Sequence, residues 1–540
     1  MWRSISSSLR TWRGIALILS LAGFAVSALP PAGVDASSPS SQWPMFGQNV
    51  NNTASAPATN IGPGNVATLL TKWAFTTHGD VSARAAVVPG ALYFPDWGGY
   101  VNALNPNNGQ LLWQKNILSD YFGGTVPGQP GVTKVVSRTS PFVDAGTSTV
   151  YIGTQTGAYL LAINAGNGKL RWKTQLDTHP LAIDTSSPVE LNGIIYVGVA
   201  SLEEAAAVNP SYPCCSFRGS AVALNASTGA VIWKTYTVPP GYTGGSVWGS
   251  TLVPDPQLGL VFATTGNNYS IPTDPTYTSC ISAGGTQASC NSPDNHFDSV
   301  LALSMTDGSI KWYQRLGSAD DWTVACFVPP YTNCPTGSGP DYDFGSGANL
   351  ITYQTPSGPQ TILGAGQKSG IYSAFDPATG HFLWNTQVGP GSSLGGMEWG
   401  SATDGQRIYV QIGNFYGIPY ALQPSGQTDY AGSWSALDPA TGHILWQTAD
   451  PNGANDLGPM MVANGVVYAP SMAGSSTSPN MFALNAATGN ILWSFASGAS
   501  VIAGASLAND TVYWGSGYTN LGIQGFTPNN KLYAFTLGSQ

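Results

Sequence analysis

Charged side chains are scarce in this chain, where Asp, Glu, Lys and Arg make up 8% of the 540 residues, against roughly 25% in an average globular protein. Those that fall in segments between repeats therefore stand out: Glu203, Glu204, Asp341, Asp343 and Lys368, with Asp320-Asp321-Trp322 nearby. A lone loop carboxylate is usually solvated and a lone lysine usually lies on the surface, but several together in so uncharged a chain invite chemistry. A carboxylate can take the proton of a hydroxyl as it is oxidised. Several oxygens can collect a hard cation such as calcium, a lysine can donate to a developing oxyanion, and paired carboxylates can hydrolyse a glycosidic bond. Trp248 belongs with these residues, because it stands outside the Gly-x-x-x-Trp spacing that accounts for seven other tryptophans.

Composition removes several classes of function. With 18 Lys and Arg against 27 Asp and Glu, and a net charge of -9, the chain lacks the basic surface that a phosphate backbone requires, so nucleic acid is not an expected partner. Five histidines, His78, His179, His296, His381 and His443, are scattered away from the cysteines, which disfavours zinc. No Cys-x-x-Cys-His occurs, so no c-type haem is attached to this chain.

At the N-terminus Arg3, Arg10 and Arg13 precede or open an apolar run from Gly14 to Val26, followed by small residues at Val26-Ser27-Ala28 and Val34-Asp35-Ala36. This is the pattern of a secretory leader over residues 1–36, with an uncleaved anchor as the alternative; no later run suits a membrane span. A periplasmic or secreted location follows, and six cysteines fit an oxidising compartment. Cys280 with Cys290 and Cys326 with Cys334 would each close a local loop. That leaves the neighbours Cys214 and Cys215 to form a ring, or to remain as free or cross-paired thiols.

The elements that must position these residues are announced by a repeat. A small residue, an apolar residue, a polar turn ending in Gly and a Trp four places later recur at Ala103–Trp113, Ala162–Trp172, Ala223–Trp233, Ala302–Trp312, Ala374–Trp384, Ala436–Trp446 and Ala483–Trp493. Each reads as a hairpin between half-buried strands, and upstream runs such as Ile194–Gly198 and Val466–Pro470 read as the preceding strand. One unit is then a four-stranded sheet. The Trp-to-Trp interval is shortest before Trp493 and longest before Trp312, which predicts long insertions gathered on one face. Lys72-Trp73-Ala74-Phe75 lacks the turn, and Lys531–Phe535 lacks the Trp. Together they complete an eighth unit. The predicted fold is all-β, a single eight-bladed propeller over residues 37–540 closed by pairing of N- and C-terminal strands, which removes two sheet edges that so few charges could not protect.

The Ala-Leu-Asn/Asp-x-x-Thr-Gly-x-x-x-Trp signature resembles the tryptophan-docking motif of the quinoprotein alcohol dehydrogenases, whose eight-bladed propeller holds pyrroloquinoline quinone (PQQ) and calcium. Within that superfamily Trp43-Pro-Met-Phe-Gly47, Gly396-Met-Glu-Trp-Gly400 and the stretch from Asp321-Trp322 to Phe344 are most similar to the polyvinyl alcohol dehydrogenases. The resemblance implies oxidation of secondary alcohols to ketones, with electrons passing to an external cytochrome c. Non-catalytic propellers share the repeat, so a binding or scaffold protein is the alternative, and a glycosidase a weaker one.

The resemblance also implies roles. Glu203, with Glu204 as competitor, and Asn267, with Asn268 as competitor, match the metal-binding positions. Asp341, in Pro340-Asp-Tyr-Asp-Phe-Gly345, matches the catalytic base and a third metal ligand, and Asp343 and Asp321 remain in contention. Lys368 matches the donor beside the quinone oxygen. Trp248 would lie under the flat cofactor, Arg138 and Thr185 would grip its carboxylates, and Trp399 would complete its pocket. Two departures are visible. Pro340 stands where the family has Trp, and Cys214-Cys215 follow the second copy of the motif, whereas in methanol-type relatives such a ring follows the first blade.

Overall fold

Each copy of the motif forms the last two strands of an antiparallel sheet, four-stranded except in the third blade, where the short strand Ala182–Ile183 adds a fifth. In the first blade Tyr100–Leu104 pairs with Leu111–Asn116 so that Ala103 lies opposite Trp113, and the register shifts by a residue between Ala103 and Leu104. The same shift follows the alanine of all six other copies. The computed structural model describes residues 42–538, apart from 57 and 520–524. The expected leader over residues 1–36 lies outside the described residues.

The Gly and Trp of the motif turn out to serve neighbouring blades. Gly168 has φ 71°, the left-handed region that disfavours any side chain, and a Cβ there would lie 2.7 Å from the Trp113 ring of the preceding blade. Trp113 Nε1 donates to the Ala165 carbonyl in that same turn at 2.7 Å. Equivalent bonds run from Trp73 to Pro106, Trp172 to Ala226, Trp233 to Met305, Trp312 to Pro377, Trp384 to Pro439 and Trp446 to Ala486. Trp493 completes the circle on the Leu69 carbonyl at 3.1 Å. Seven indoles thus cover the next blade's glycine turn and satisfy one of its carbonyls, and Trp493 bonds the first residue of the closing strand instead.

Closure is by strand exchange between the chain ends. Leu69–Thr76 pairs antiparallel with Lys531–Leu537, Leu69 opposite Leu537, as the outer strand of a sheet that continues through Thr511–Ser516 to Ser506–Ala508. The eight-bladed propeller is therefore as expected, including its closing pair. Inner strands such as Ala86–Val88 and Met461–Ala463 are wholly buried, whereas outer strands such as Leu170–Gln175 alternate toward solvent.

Strand polarity decides where the insertions go. In an up-down-up-down sheet the loop between second and third strands and the connection from an outer strand to the next inner strand emerge at one end. The Gly-x-x-x-Trp turns emerge at the other. All the long insertions use the first end: the short helix Glu203–Ala206, the helices Pro275–Ser282 and Gln287–Cys290, and the 3-10 turn Val324–Phe327. Disulfides Cys280–Cys290 and Cys326–Cys334 close two of these loops, and Cys214–Cys215 forms a ring between sequence neighbours in a third.

Candidate active site

Five loops at that end converge on Lys368, which follows the strand Gly358–Gly366. Its Nζ donates to both oxygens of Asp341, at 3.1 and 3.2 Å, and to Asp343 Oδ2 at 3.3 Å. Both aspartates sit on the connection between the fourth and fifth blades. Trp248, on the preceding connection, donates from Nε1 to Asp343 Oδ2 at 2.8 Å, and the Lys368 ammonium lies 5.3 Å from the centre of its ring. The Asn267 backbone N–H donates to Asp343 Oδ1 at 2.6 Å. Asp343 is thus saturated by three donors, and Asp341 is held by Lys368 alone.

Asp341 is presented by a strained turn. Its φ is 61°, and its N–H and that of Tyr342 donate to the two oxygens of Asp320 at 3.0 and 2.7 Å. The buried Asp320 carboxylate therefore orients the loop that carries Asp341.

Electrostatics mark the cluster as a special place. Burial raises the Asp341 carboxyl well above its ordinary pKa; Lys368 opposes this, and Asp343, Glu204 and Asp320 add to it. Burial and the charge of Asp343 push Glu204 up to about 8. Glu398 is pushed to about 7, again by burial first. Lys368 moves up despite its own desolvation, because Asp341, Asp343, Glu398 and Glu204 all favour its charged form. Four carboxyl groups thus act on one ammonium, and Glu204 Oε1 is buried with no donor. Surplus buried negative charge with an unpartnered carboxylate oxygen is a setting that a hard divalent cation neutralises, and strongly shifted acids gathered at a propeller mouth fit catalysis.

The structure redistributes some expected roles. Glu203 does not face the cluster: its carboxylate accepts from Tyr212 Oη at 2.8 Å and from the backbone N–H groups of Ser216 and Phe217, both at 2.7 Å. It ties down the loop that carries Cys214–Cys215, and the next residue, Glu204, is the one that meets Asp343 and Lys368. The register of a four-residue helix after the strand Ile194–Ser201 decides between the two, and the sequence does not show it. Asn267 lies at the cluster, with Nδ2 tied to the carbonyls of Asn268 and Trp322. Asn268 is turned away toward Asn295 and Thr243. Asp321 bridges to Asn268 and has no part in the field around Lys368. Cys215 packs beside Tyr269, two residues after Asn267, with Sγ 3.9 Å from its carbonyl, so the disulfide ring borders the site.

Arg138, Thr185 and Trp399 form a second group just below. The Arg138 guanidinium stacks 4.0 Å over the Trp399 ring, Trp399 meets Trp248 edge to face at 5.1 Å, and Thr185 Oγ1 donates to the Trp248 carbonyl at 3.1 Å. The sequence reading gives no role to Glu398 or Arg84 and names Asp320 only as the neighbour of Asp321. Glu398 adjoins Trp399 in a segment the resemblance does single out, and in a chain with so few charges that position was a usable signal.

Comparison with known proteins establishes the family. The chain matches the family described as outer membrane protein assembly factor BamB over residues 65–235 and 367–535. It is 30% identical to the polyvinylalcohol dehydrogenase of Pseudomonas sp. over 533 residues, covering 92% of this chain and 76% of that one. The chain belongs to the superfamily of PQQ-dependent alcohol dehydrogenases. It is 28% identical to the polyvinylalcohol dehydrogenase of Sphingopyxis sp. strain 113P3, covering 88% of this chain and 72% of that one. Among solved structures, the quinohemoprotein alcohol dehydrogenase ADHIIG of Pseudomonas putida HK5 shares the fold with TM-score 0.68 at 19% identity, covering 92% of this chain and 80% of that one. As a member of this superfamily the chain is an oxidoreductase of the alcohol dehydrogenase type. The stretch left unmatched by the assembly-factor family, residues 236–366, carries Trp248, Asn267, Asp341 and Asp343. Glu204, Lys368 and Glu398 lie within the matched stretches.

Proposed function

We propose that this protein is exported and oxidises secondary alcohols, the hydroxyls of polyvinyl alcohol among them, to ketones, using PQQ and calcium. The observation that carries the reading is the buried Lys368–Asp341–Asp343 cluster, with its surplus of carboxylates, beside Trp248. When bound, the quinone would supply the carbonyl that accepts hydride from the alcohol carbon. The Trp248 face would seat the ring, and Arg138, Thr185 and Trp399 would hold its carboxylates and edge. Glu204, Asn267 and Asp341 would ligate calcium. Among the described residues no three His, Cys, Asp or Glu side chains converge as a metal site, so the remaining oxygens would be those of amides, water or cofactor.

Asp341 is the base. Its carboxylate accepts the hydroxyl proton, and its raised proton affinity makes it a stronger acceptor once ionised. Lys368 favours its ionised form, and a bound cation would add to that effect. Lys368 also donates to oxygen where negative charge develops. Lys368, Glu204 and Glu398 lie deep in the mouth, where exclusion of water strengthens these fields. Electrons would leave to a separate cytochrome c, since the sequence has no Cys-x-x-Cys-His. Export is supported by the leader pattern over residues 1–36 and by three disulfides.

The test is reconstitution. Adding PQQ with calcium to the cofactor-free protein should restore dye-linked oxidation of secondary alcohols, and Asp341→Asn should abolish it. Full activity in that variant refutes the base, and absence of quinone binding would favour a scaffold.

A further inference from the structure

Below the cluster, on the propeller axis, lies a cavity of about 20 Å³. In five blades the residue two places ahead of the inner strand lines it: Arg84, Ser140, Ser187, Pro459 and Gly504. Four are small and one is arginine. A Cβ at Gly504 would lie 2.5 Å from Arg84 Nε, so glycine in the eighth blade leaves room for the guanidinium of the first.

Arg84 is 1% exposed. Nη1 donates to the Phe46 carbonyl at 2.7 Å and Nη2 to the Met460 carbonyl at 2.9 Å, while Nε is buried without a partner. Trp43 and Phe46 pack on the guanidinium at 5.2 and 4.9 Å. No carboxylate lines the cavity. A buried cation with neutral neighbours alone is costly, and burial pulls Arg84 down to about 9, which still leaves it charged at neutral pH.

The rest of the lining is also donor-rich. Ser140 Oγ accepts the Arg84 N–H at 2.9 Å, Ser187 Oγ accepts the Ser140 N–H at 3.0 Å, and Ser250 Oγ accepts the Gly347 N–H at 2.7 Å. Each hydroxyl has an oxygen already bonded and a proton free to point inward. Arg138 adds a second guanidinium at the upper wall.

We propose that this axial cavity is a binding site for one monatomic anion of the halide class, chloride in most surroundings, held by Arg84 Nε and the hydroxyls of Ser140, Ser187 and Ser250. The size favours a small ion, because the space for water-sized spheres is about 20 Å³. The lining shares Arg138, Thr185 and Trp399 with the proposed quinone pocket, but the donors assigned to the anion, Arg84 Nε and the hydroxyls of Ser140, Ser187 and Ser250, have no part in that reading. It would place a fixed negative charge beneath Arg138.

The experiment uses the full chain free of PQQ. Thermal midpoints are measured at constant ionic strength as gluconate is replaced by chloride, bromide or sulfate, and crystals are soaked in bromide for anomalous scattering. A saturable rise with chloride and bromide but not sulfate, and a bromide peak beside Arg84 Nε, are expected. Ser187→Ala keeps every charge and should raise the half-saturating halide concentration by about tenfold, the usual scale for a lost hydrogen bond to an ion. Arg84→Met should abolish the halide response; if it fails to fold, Ser187→Ala and Ser140→Ala carry the test, because the readout is the halide difference and not stability itself. Superimposable gluconate and chloride curves without a bromide peak would overturn the proposal in favour of water. It is also overturned if Ser187→Ala responds like the parent, or if PQQ displaces the bromide, which would assign the donors to a cofactor carboxylate.

Discussion

Replacing Lys368 by methionine removes the only ammonium among four buried carboxyl groups while keeping most of the side-chain volume. At an effective dielectric of about 20, unit charges about 3 Å apart attract by roughly 5 kcal/mol, and desolvation returns much of that. Removing one partner of a buried pair costs about 3–5 kcal/mol, because the other is left uncompensated. The loss should depend on pH in a definite sense. Asp341, Glu204 and Glu398 already have folded-state pKa values above their unfolded ones, about 8 for Glu204 and about 7 for Glu398, and without Lys368 they rise further. An acid with a raised folded pKa destabilises the fold once pH exceeds its unfolded value near 4, and the penalty grows until pH passes the folded value. The deficit of Lys368→Met against the parent, read from thermal midpoints of the cofactor-free proteins, should therefore be small near pH 5 and larger near pH 8, still growing as pH passes the parent's folded values of about 7 and about 8. An equal deficit at both would mean that Lys368 packs but does not balance charge, and the reasoning about the surplus would fail.

Four further outcomes follow from the same structure. Calcium should raise the thermal midpoint of the cofactor-free protein more near pH 8 than near pH 5, since protons compete for the raised carboxylates of Glu204 and Asp341; a response independent of pH would remove them from the cation site. Glu204→Gln should weaken the calcium requirement by tenfold or more, on the scale of a lost ligand oxygen, whereas Glu203→Gln should leave it intact and instead lower stability by about 1–3 kcal/mol through the loop it anchors. In the reconstituted enzyme the rate should climb with pH as Asp341 ionises, and Lys368→Met should move that limb upward; a limb in the same place in both proteins would assign it to another group. Trp493→Phe keeps the ring but loses the donor to the Leu69 carbonyl, costing about 0.5–1.5 kcal/mol and increasing amide exchange in Leu69–Thr76 before other strands.

The local rhythm of the chain was enough to read the architecture. Hairpin signals are short-range, so seven Gly-x-x-x-Trp copies and two incomplete ends already specify eight sheets and their closure. Trp248, Asp341 and Lys368 are legible from the scarcity of charge, the repeat spacing and the family resemblance, and the polarity of the strands then places every long insertion at one end. The cysteine pairs were legible because each is local. What the repeat did not disclose is that the indoles bond the next blade, because the partner carbonyl lies in another unit, 33 to 72 residues away in seven cases and 424 in the last.

Side-chain direction at the mouth belongs to the tertiary structure alone. Glu203 and Glu204 are neighbours in sequence, yet one faces a loop backbone and the other faces Lys368, and only the packed turn of Glu203–Ala206 chooses. Asp320 gains meaning from depth, and Arg84 from lying against Gly504 of the neighbouring eighth blade, at the far end of the chain. Closing a ring brings together residues that no spacing rule connects, and removing them from water shifts their proton affinities. Sequence order carries neither distance nor dielectric.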